Sequence, residues 1–337
     1  MKVFMIGGTG LLGSEAAFEL IKRGHQVSTL ALPPIPKGTE LAPEMDIKLG
    51  NFIEMSDEEI KDCFKGCEGF VFAAGIDERV PGPPPIYETY KKFNITALER
   101  LLKIAKEVGV KHAVICGSYF SHFAKIHPKD ELTKWHPYIR SRIDQEEMSI
   151  SYADDNFDVA IIEIPYVFGT QKGREPVWTF LVEQIRSMEK STLYPKGGTT
   201  MVTVKQVGQA IVGALERSKG GKCYPLGYYN MTWVEMLRII HKYIGTPDKK
   251  ITTIPNFIYA LGAMKSKKSI EAEGHESGLH PVKFTKLMCS KTYIDKKLGA
   301  EPLGVEPDDI EVAIGDSIKL CIDILDGKAE AISMKAE

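Results

Sequence analysis

The opening residues, MKVFMIGGTGLLGSEAA, leave the chain little choice of how to begin. A short apolar run ends in glycines, and Gly7, Gly10 and Gly13 recur at intervals of three before a helical pattern starts. Glycine permits a tight turn out of a strand, close approach of backbone to a ligand, and close packing of the next helix on the strand. The free N–H groups and positive dipole end of that helix form a seat for a pyrophosphate. Strand, glycine turn and helix in this order predict a parallel α/β sheet with a dinucleotide site at its edge.

The rest of the first half keeps the alternation. HQVSTLAL, GFVFAAG, KHAVICGS and FDVAIIEIPYVFG read as strands. SEAAFELIKRG, SDEEIKDCFKGC, NITALERLLKIAKEVGV and a segment near 138–153 read as helices, the second with a good start at Ser56 and Asp57. This pattern implies parallel strands joined by helical crossovers, a doubly wound α/β fold of the Rossmann type. Two proline-rich stretches, LPPIPKG and VPGPPPIY, follow strand ends, where such folds bind ligands. After Gly169 the order loosens. We expect a Rossmann domain from 1–170 plus about 200–230, a smaller C-terminal substrate lobe from about 171–199 and 231–325, and a frayed tail at 326–337.

Composition narrows the function. The 337 residues are 43 % apolar, enough for a sizeable core, and the formal charge is −2. No basic excess points to nucleic acid, no polybasic stretch points to an anionic membrane, and no apolar run reaches a membrane span. Six cysteines show no CxxC pair and no zinc spacing, so we expect free thiols, no metal and a cytoplasmic protein without a secretory leader. His275, Glu276 and His280 lie close together but not as HExxH, so they read as a solvated or pocket-lining loop. Trp178 and Trp233 read as lobe core.

Several motifs in order carry a more specific signal: GGTGLLG, GNF at 50–52, FAAG at 72–75, FNITALERLL, VKHAVICGS, IPYVFG at 164–169 and TMVTVKQVGQAIVGAL. Together with HPYIRSRIDQEE they resemble the extended short-chain dehydrogenase/reductase superfamily, the NAD-dependent epimerase/dehydratase group, over roughly residues 1–325. The resemblance implies a nicotinamide cofactor, NAD or NADP, a small-molecule substrate, and a homodimer through the Asn94 and tyrosine helices. It places Gly7, Thr9, Gly10, Leu11, Leu12 and Gly13 at the pyrophosphate and Asn51 and Phe52 at the adenine. Ala73, Ala74 and Gly75 would pass behind the ribose, Asn94 would steady the helix beside the site, and Pro165 and Val167 would meet the nicotinamide amide. Catalysis in the group uses a tyrosine as acid or base, a lysine four residues on, and a Ser or Thr on the preceding strand end.

This chain departs from that pattern in three places. Tyr138 matches the tyrosine, but Arg142 stands where the lysine would be. Arginine stays charged, so it can favour a phenolate and donate to ribose hydroxyls, but it cannot relay a proton. At the Ser/Thr position the chain offers Ser118 and Tyr119, with Ser118 the preferred partner and Tyr119 the reserve. Where sugar-nucleotide members carry an arginine that grips a diphosphate, this chain has Thr199 and Thr200, which disfavours such a substrate. Ala31 stands at the usual acidic position after the second strand and leaves NAD against NADP open. The expected function is a hydride-transferring oxidoreductase or epimerase. The alternative is a non-catalytic NAD(P)H-binding regulator.

Overall fold

A computed structural model describes residues 1–79 and 81–332. Val80, which opens the second proline-rich stretch, and residues 333–337 of the expected tail lie outside them. The first half runs β1 (Lys2–Ile6), α1 (Leu11–Lys22), β2 (Gln26–Ala31), β3 (Asp46–Leu49), α2 (Asp57–Phe64), β4 (Gly69–Phe72) and α3 (Ile86–Tyr90). A π-helical segment, Lys91–Thr96, leads into α4 (Ala97–Glu107), β5 (His112–Ser118), α5 (Tyr119–Ile126), α6 (Leu132–Trp135), α7 (Pro137–Ile150) and β6 (Asp158–Ile164). The second half holds β7 (Tyr166–Phe168), α8 (Thr179–Ser187), β8 (Thr192–Pro195), β9 (Gly198–Thr203), α9 (Val204–Arg217), β10 (Gly221–Pro225) and β11 (Tyr229–Thr232). It closes with α10 (Trp233–Ile244), β12 (Ile251–Ile254), α11 (Asn256–Ala272), α12 (Pro281–Met288), β13 (Lys291–Thr292) and α13 (Ile310–Leu325).

The main sheet is parallel throughout, in the order β10-β6-β5-β4-β1-β2-β3. Both faces are covered, as a parallel sheet requires. Val3 and Met5 share a core with α1 and α9, whereas Phe4 and Ile6 share one with α2 and α4. The chain winds outward from β1 to β3, then returns and winds the other way from β4. The switch point therefore lies between the ends of β1 and β4, where such folds hold ligands. The expected start of α2 is a full capping box between Ser56 and Glu59, a feature that stabilises a helix by about 1 kcal/mol.

Three expectations need correction. The short strand β3 was not anticipated; its sequence, DIKL, is half charged, as suits a sheet edge. FDVAIIEIPYVFG is two strands, not one. Pro165 has no N–H to donate, and the chain leaves the main sheet there. Then β7 pairs with β9 in a second, four-stranded sheet whose spine is β9, with β11 antiparallel and β13 parallel to it. So β9 is not part of the main sheet, and of the stretch near 200–230 only β10 joins it. Ile332 of the expected frayed tail is hydrogen-bonded to Gly173 and Glu175.

Candidate active site

The glycine turn sits at the switch point. Gly7 has φ +89° and faces the end of β4 so closely that a Cβ would run into the Ala73 carbonyl. A Cβ on Gly13, inside the first turn of α1, would strike the Gly7 carbonyl. These two positions require glycine because backbone packs directly against them, which brings the turn and the N-terminus of α1 close together as a backbone cradle. Gly10 caps α1 without a side-chain hydrogen bond, so the first N–H groups of the helix, from Leu11 and Leu12 onward, have no side-chain cap. Beyond β7, Gln171 donates to the Thr9 carbonyl at 3.1 Å and to Ser14 Oγ at 2.9 Å, tying the chain back onto the loop. Ala31 ends β2, buried, with no acid in its place.

The other expected cofactor residues gather around the same sheet end. Ala73, Ala74 and Gly75 follow β4 directly. Asn94 is fully buried in the π-helical segment and clasps the Ile76 backbone, accepting from its N–H at 2.8 Å and donating to its carbonyl at 2.9 Å. Asn51 uses its side chain locally, on Ile53 N–H and Glu54, and Phe52 packs edge-on against Phe72 at 6.4 Å. The Val167 carbonyl accepts from the Trp178 indole at 2.9 Å. Trp178 and Trp233 are both buried in the lobe core.

Tyr138 and Arg142 lie one turn apart in α7, and both are buried. The guanidinium carbon is 5.1 Å from the Tyr138 ring centroid. Arg142 Nη1 donates to Gln145 Oε1 at 2.8 Å, and Gln145 Nε2 donates to the Asn94 carbonyl at 2.6 Å. A π-helix shifts backbone pairing by one residue and leaves a carbonyl for such a side chain. Arg142 Nε is buried and, among the described residues, has no partner; the Arg142 side chain lies beside Gly75. Gln145 was not singled out from the sequence. Its only signal is its place, three residues after the arginine on the same helix face.

Burial pushes the Tyr138 phenol above its ordinary range; Arg142 pulls it down, Glu78 pushes it up, and Ser118 pulls it down. Glu78, also missed from the sequence, sits in the loop after β4. Burial and the neighbouring Asp77 raise its carboxyl. Ser118 ends β5 and caps α5, accepting from Phe120 N–H at 3.4 Å. Tyr119 points elsewhere. Its hydroxyl accepts from Thr199 Oγ1 at 3.2 Å, Thr292 donates to that same Thr199 at 2.9 Å, and its ring packs among Phe120, Phe123 and Tyr166. The structure thus brings Ser118, Tyr138 and Arg142 together and ties Tyr119 into the lobe.

The segment 276–280 is a strap over this tyrosine rather than a solvated loop. Glu276 and Gly82 exchange two backbone hydrogen bonds, and Glu276 Oε2 accepts from Ile86 N–H at 2.8 Å. Tyr138 N–H donates to the Gly278 carbonyl at 3.0 Å, and His280 N–H donates to His136 Nδ1 at 3.0 Å. A Cβ on Gly278 would run into the Tyr90 hydroxyl. Tyr138 is left 4 % exposed.

The model of a family described as the NAD dependent epimerase/dehydratase family matches residues 3–227. A Synechocystis protein, provisionally named a dihydroflavonol 4-reductase, is 22 % identical over 94 % of this chain and 93 % of its own. Among solved structures, gox2253 superposes with a TM-score of 0.73 at 20 % identity, covering 97 % of this chain and 99 % of that one. UDP-glucuronic acid 4-epimerase from Bacillus cereus, solved with NAD, superposes with a TM-score of 0.66 at 13 % identity, covering 96 % and 99 %. At these identities the structures speak for the fold.

Proposed function

The chain belongs to the NAD-dependent epimerase/dehydratase family, and from that premise we propose that it passes a hydride between nicotinamide and the carbon of a secondary alcohol or ketone, with Tyr138 as acid or base. The observation that carries this reading is the Tyr138–Arg142–Gln145 arrangement at the sheet end that also holds the glycine cradle. The cradle of Gly7, Thr9, Gly10, Leu11, Leu12 and Gly13 fits a pyrophosphate, with Asn51 and Phe52 bordering the adenine and Ala73, Ala74 and Gly75 behind the ribose. The Arg142 guanidinium, whose Nη2 lies beside Gly75 and whose Nε has no partner among the described residues, fits a ribose hydroxyl. Because Trp178 engages the Val167 carbonyl, we assign the nicotinamide amide to Pro165. A nicotinamide held there by these residues would bring the hydride donor or acceptor.

The protein supplies position and charge. The Tyr138 phenol is protonated at neutral pH, as phenols are, and burial pushes it further that way, so it can give its proton to a carbonyl oxygen that Ser118 also contacts. The fixed charge of Arg142 stabilises the phenolate that results. Arg142 cannot pass that proton on, and neither can the amide of Gln145 behind it. The walls around Tyr138 are aromatic, with Tyr90 at 5.5 Å and Phe120 at 6.5 Å between centroids, and Thr199 serves Tyr119. With Thr199 in place of a diphosphate-gripping arginine, these surroundings favour a small alcohol or ketone over a nucleotide sugar.

The test is turnover of NADH and NADPH over a panel of ketones by the wild type and Tyr138→Phe. We expect the variant to lose about 10²–10⁴ in kcat with its cofactor affinity kept. Nucleotide binding without turnover in the wild type, or equal turnover in the variant, would instead favour a non-catalytic regulator or a different acid.

A further inference from the structure

Helix α11 lies on the outside of the lobe and, among the described residues, has no buried member. At 3.6 residues per turn, Phe257, Leu261, Met264 and Lys268 fall on a stripe about 60° wide, with Ile258 and Lys265 beside it. Phe257 is 70 % exposed, Leu261 59 %, Ile258 44 % and Met264 42 %. A contiguous apolar set of this kind marks a contact surface. The orientation is fixed from behind, because Tyr259 on the opposite face packs against the buried cluster that holds Trp178 and Trp233.

Charge selects what covers the stripe. Residues 256–272 hold three lysines and one acid, Glu271. Lys267 pairs with Glu271, whereas Lys265 and Lys268 have no ion-pair partner among the described residues. The exposed Lys250 lies just before β12, the strand that leads into α11. A second copy laid on the same stripe would bring apolar side chains and lysines together with only Glu271, already paired with Lys267, to meet them. A bilayer containing anionic lipid offers both an apolar boundary and negative headgroups. No described helix is long and apolar enough to cross a membrane, so a helix of this kind would lie in the plane of the surface.

We propose that α11 docks the protein on an anionic lipid surface, with Phe257, Leu261 and Met264 at the acyl boundary and Lys265 and Lys268 at the headgroups. The stripe does not involve the residues assigned to hydride transfer, so the proposal stands or falls apart from that assignment. The chain as a whole is slightly acidic, which makes the attraction local and sensitive to salt.

Co-sedimentation of the full chain with vesicles tests it. We expect about tenfold more protein bound to vesicles of phosphatidylcholine with phosphatidylglycerol than to phosphatidylcholine alone at low salt, and loss of that excess at high salt. Leu261→Glu, and separately Lys265→Glu with Lys268→Glu, should each abolish it while leaving the melting temperature and NADH binding as in the wild type. Failure of the wild type to sediment with the anionic vesicles would overturn the proposal. So would sedimentation of all variants as well as the wild type. Light scattering that shows a dimer split by Leu261→Glu would assign the stripe to a second copy and overturn it too.

Discussion

A guanidinium and an ammonium differ in what they can do for a neighbouring phenol. Both hold positive charge beside it, but the guanidinium keeps its protons and needs a planar set of acceptors to fix its orientation. Gln145 provides one acceptor for Arg142, and the π-helical segment provides the carbonyl that holds Gln145 in turn. If Gln145 acts through Arg142, the two should couple. Arg142→Met should weaken NADH or NADPH binding about tenfold, Gln145→Leu nearly as much, and the double variant no more than Arg142→Met alone. An equal further loss in the Arg142→Met background would mean that Gln145 only supports the π segment. The pH dependence follows from the same groups. Ketone reduction needs the protonated phenol, so its rate should hold through neutral pH and fall on the alkaline side. Removing the Arg142 charge should move that fall to higher pH. Spacing put Tyr138 and Arg142 on one helix face, and the family resemblance suggested Ser118 beside them. Gln145 and Glu78 were not legible, because nothing local marks a glutamine that reaches a carbonyl 51 residues away.

Among the elements, α7 is unusually charged for a helix packed on a sheet, and its partners explain why. Glu146 is buried and pairs with Lys125 at 2.8 Å, and Lys125 also reaches Glu163 of β6 at 2.6 Å. Burial and the nearby Glu146 push the Glu163 carboxyl up to about 7, against an ordinary 4.5. A raised carboxyl holds more protons folded than unfolded across that window. Its contribution to stability is therefore full below the ordinary value and is lost as pH rises through about 7. Melting temperature should fall across this window in the wild type, and Glu163→Gln should flatten the fall by about 2–4 °C. An unchanged slope would show that another group titrates. Apolar periodicity revealed the helices and central strands, yet it could not show the π segment or the break at Pro165. Both depend on which carbonyls and N–H groups find partners in the folded chain.

For the whole molecule, the alternation of strands and helices carried the doubly wound sheet, because a parallel strand pair needs a crossover and the crossover is written between them. The second sheet was not legible. Its strands β7, β9, β11 and β13 are two to six residues long and meet only because the lobe folds over the sheet end. The strap at 276–280 is of the same kind, a distant loop brought onto Tyr138. Gly278→Ala should push it off the Tyr90 hydroxyl, lowering the melting temperature and speeding proteolysis within 274–281; protection equal to the wild type would deny the strap its close contact. The cofactor assignment depends on the glycine cradle at the switch point. The most direct measurement is titration of the purified protein, freed of bound nucleotide, with NADH and with NADPH. Saturable binding of at least one of them, at one nucleotide per chain, is the predicted result, and binding of neither would contradict the assignment of the site.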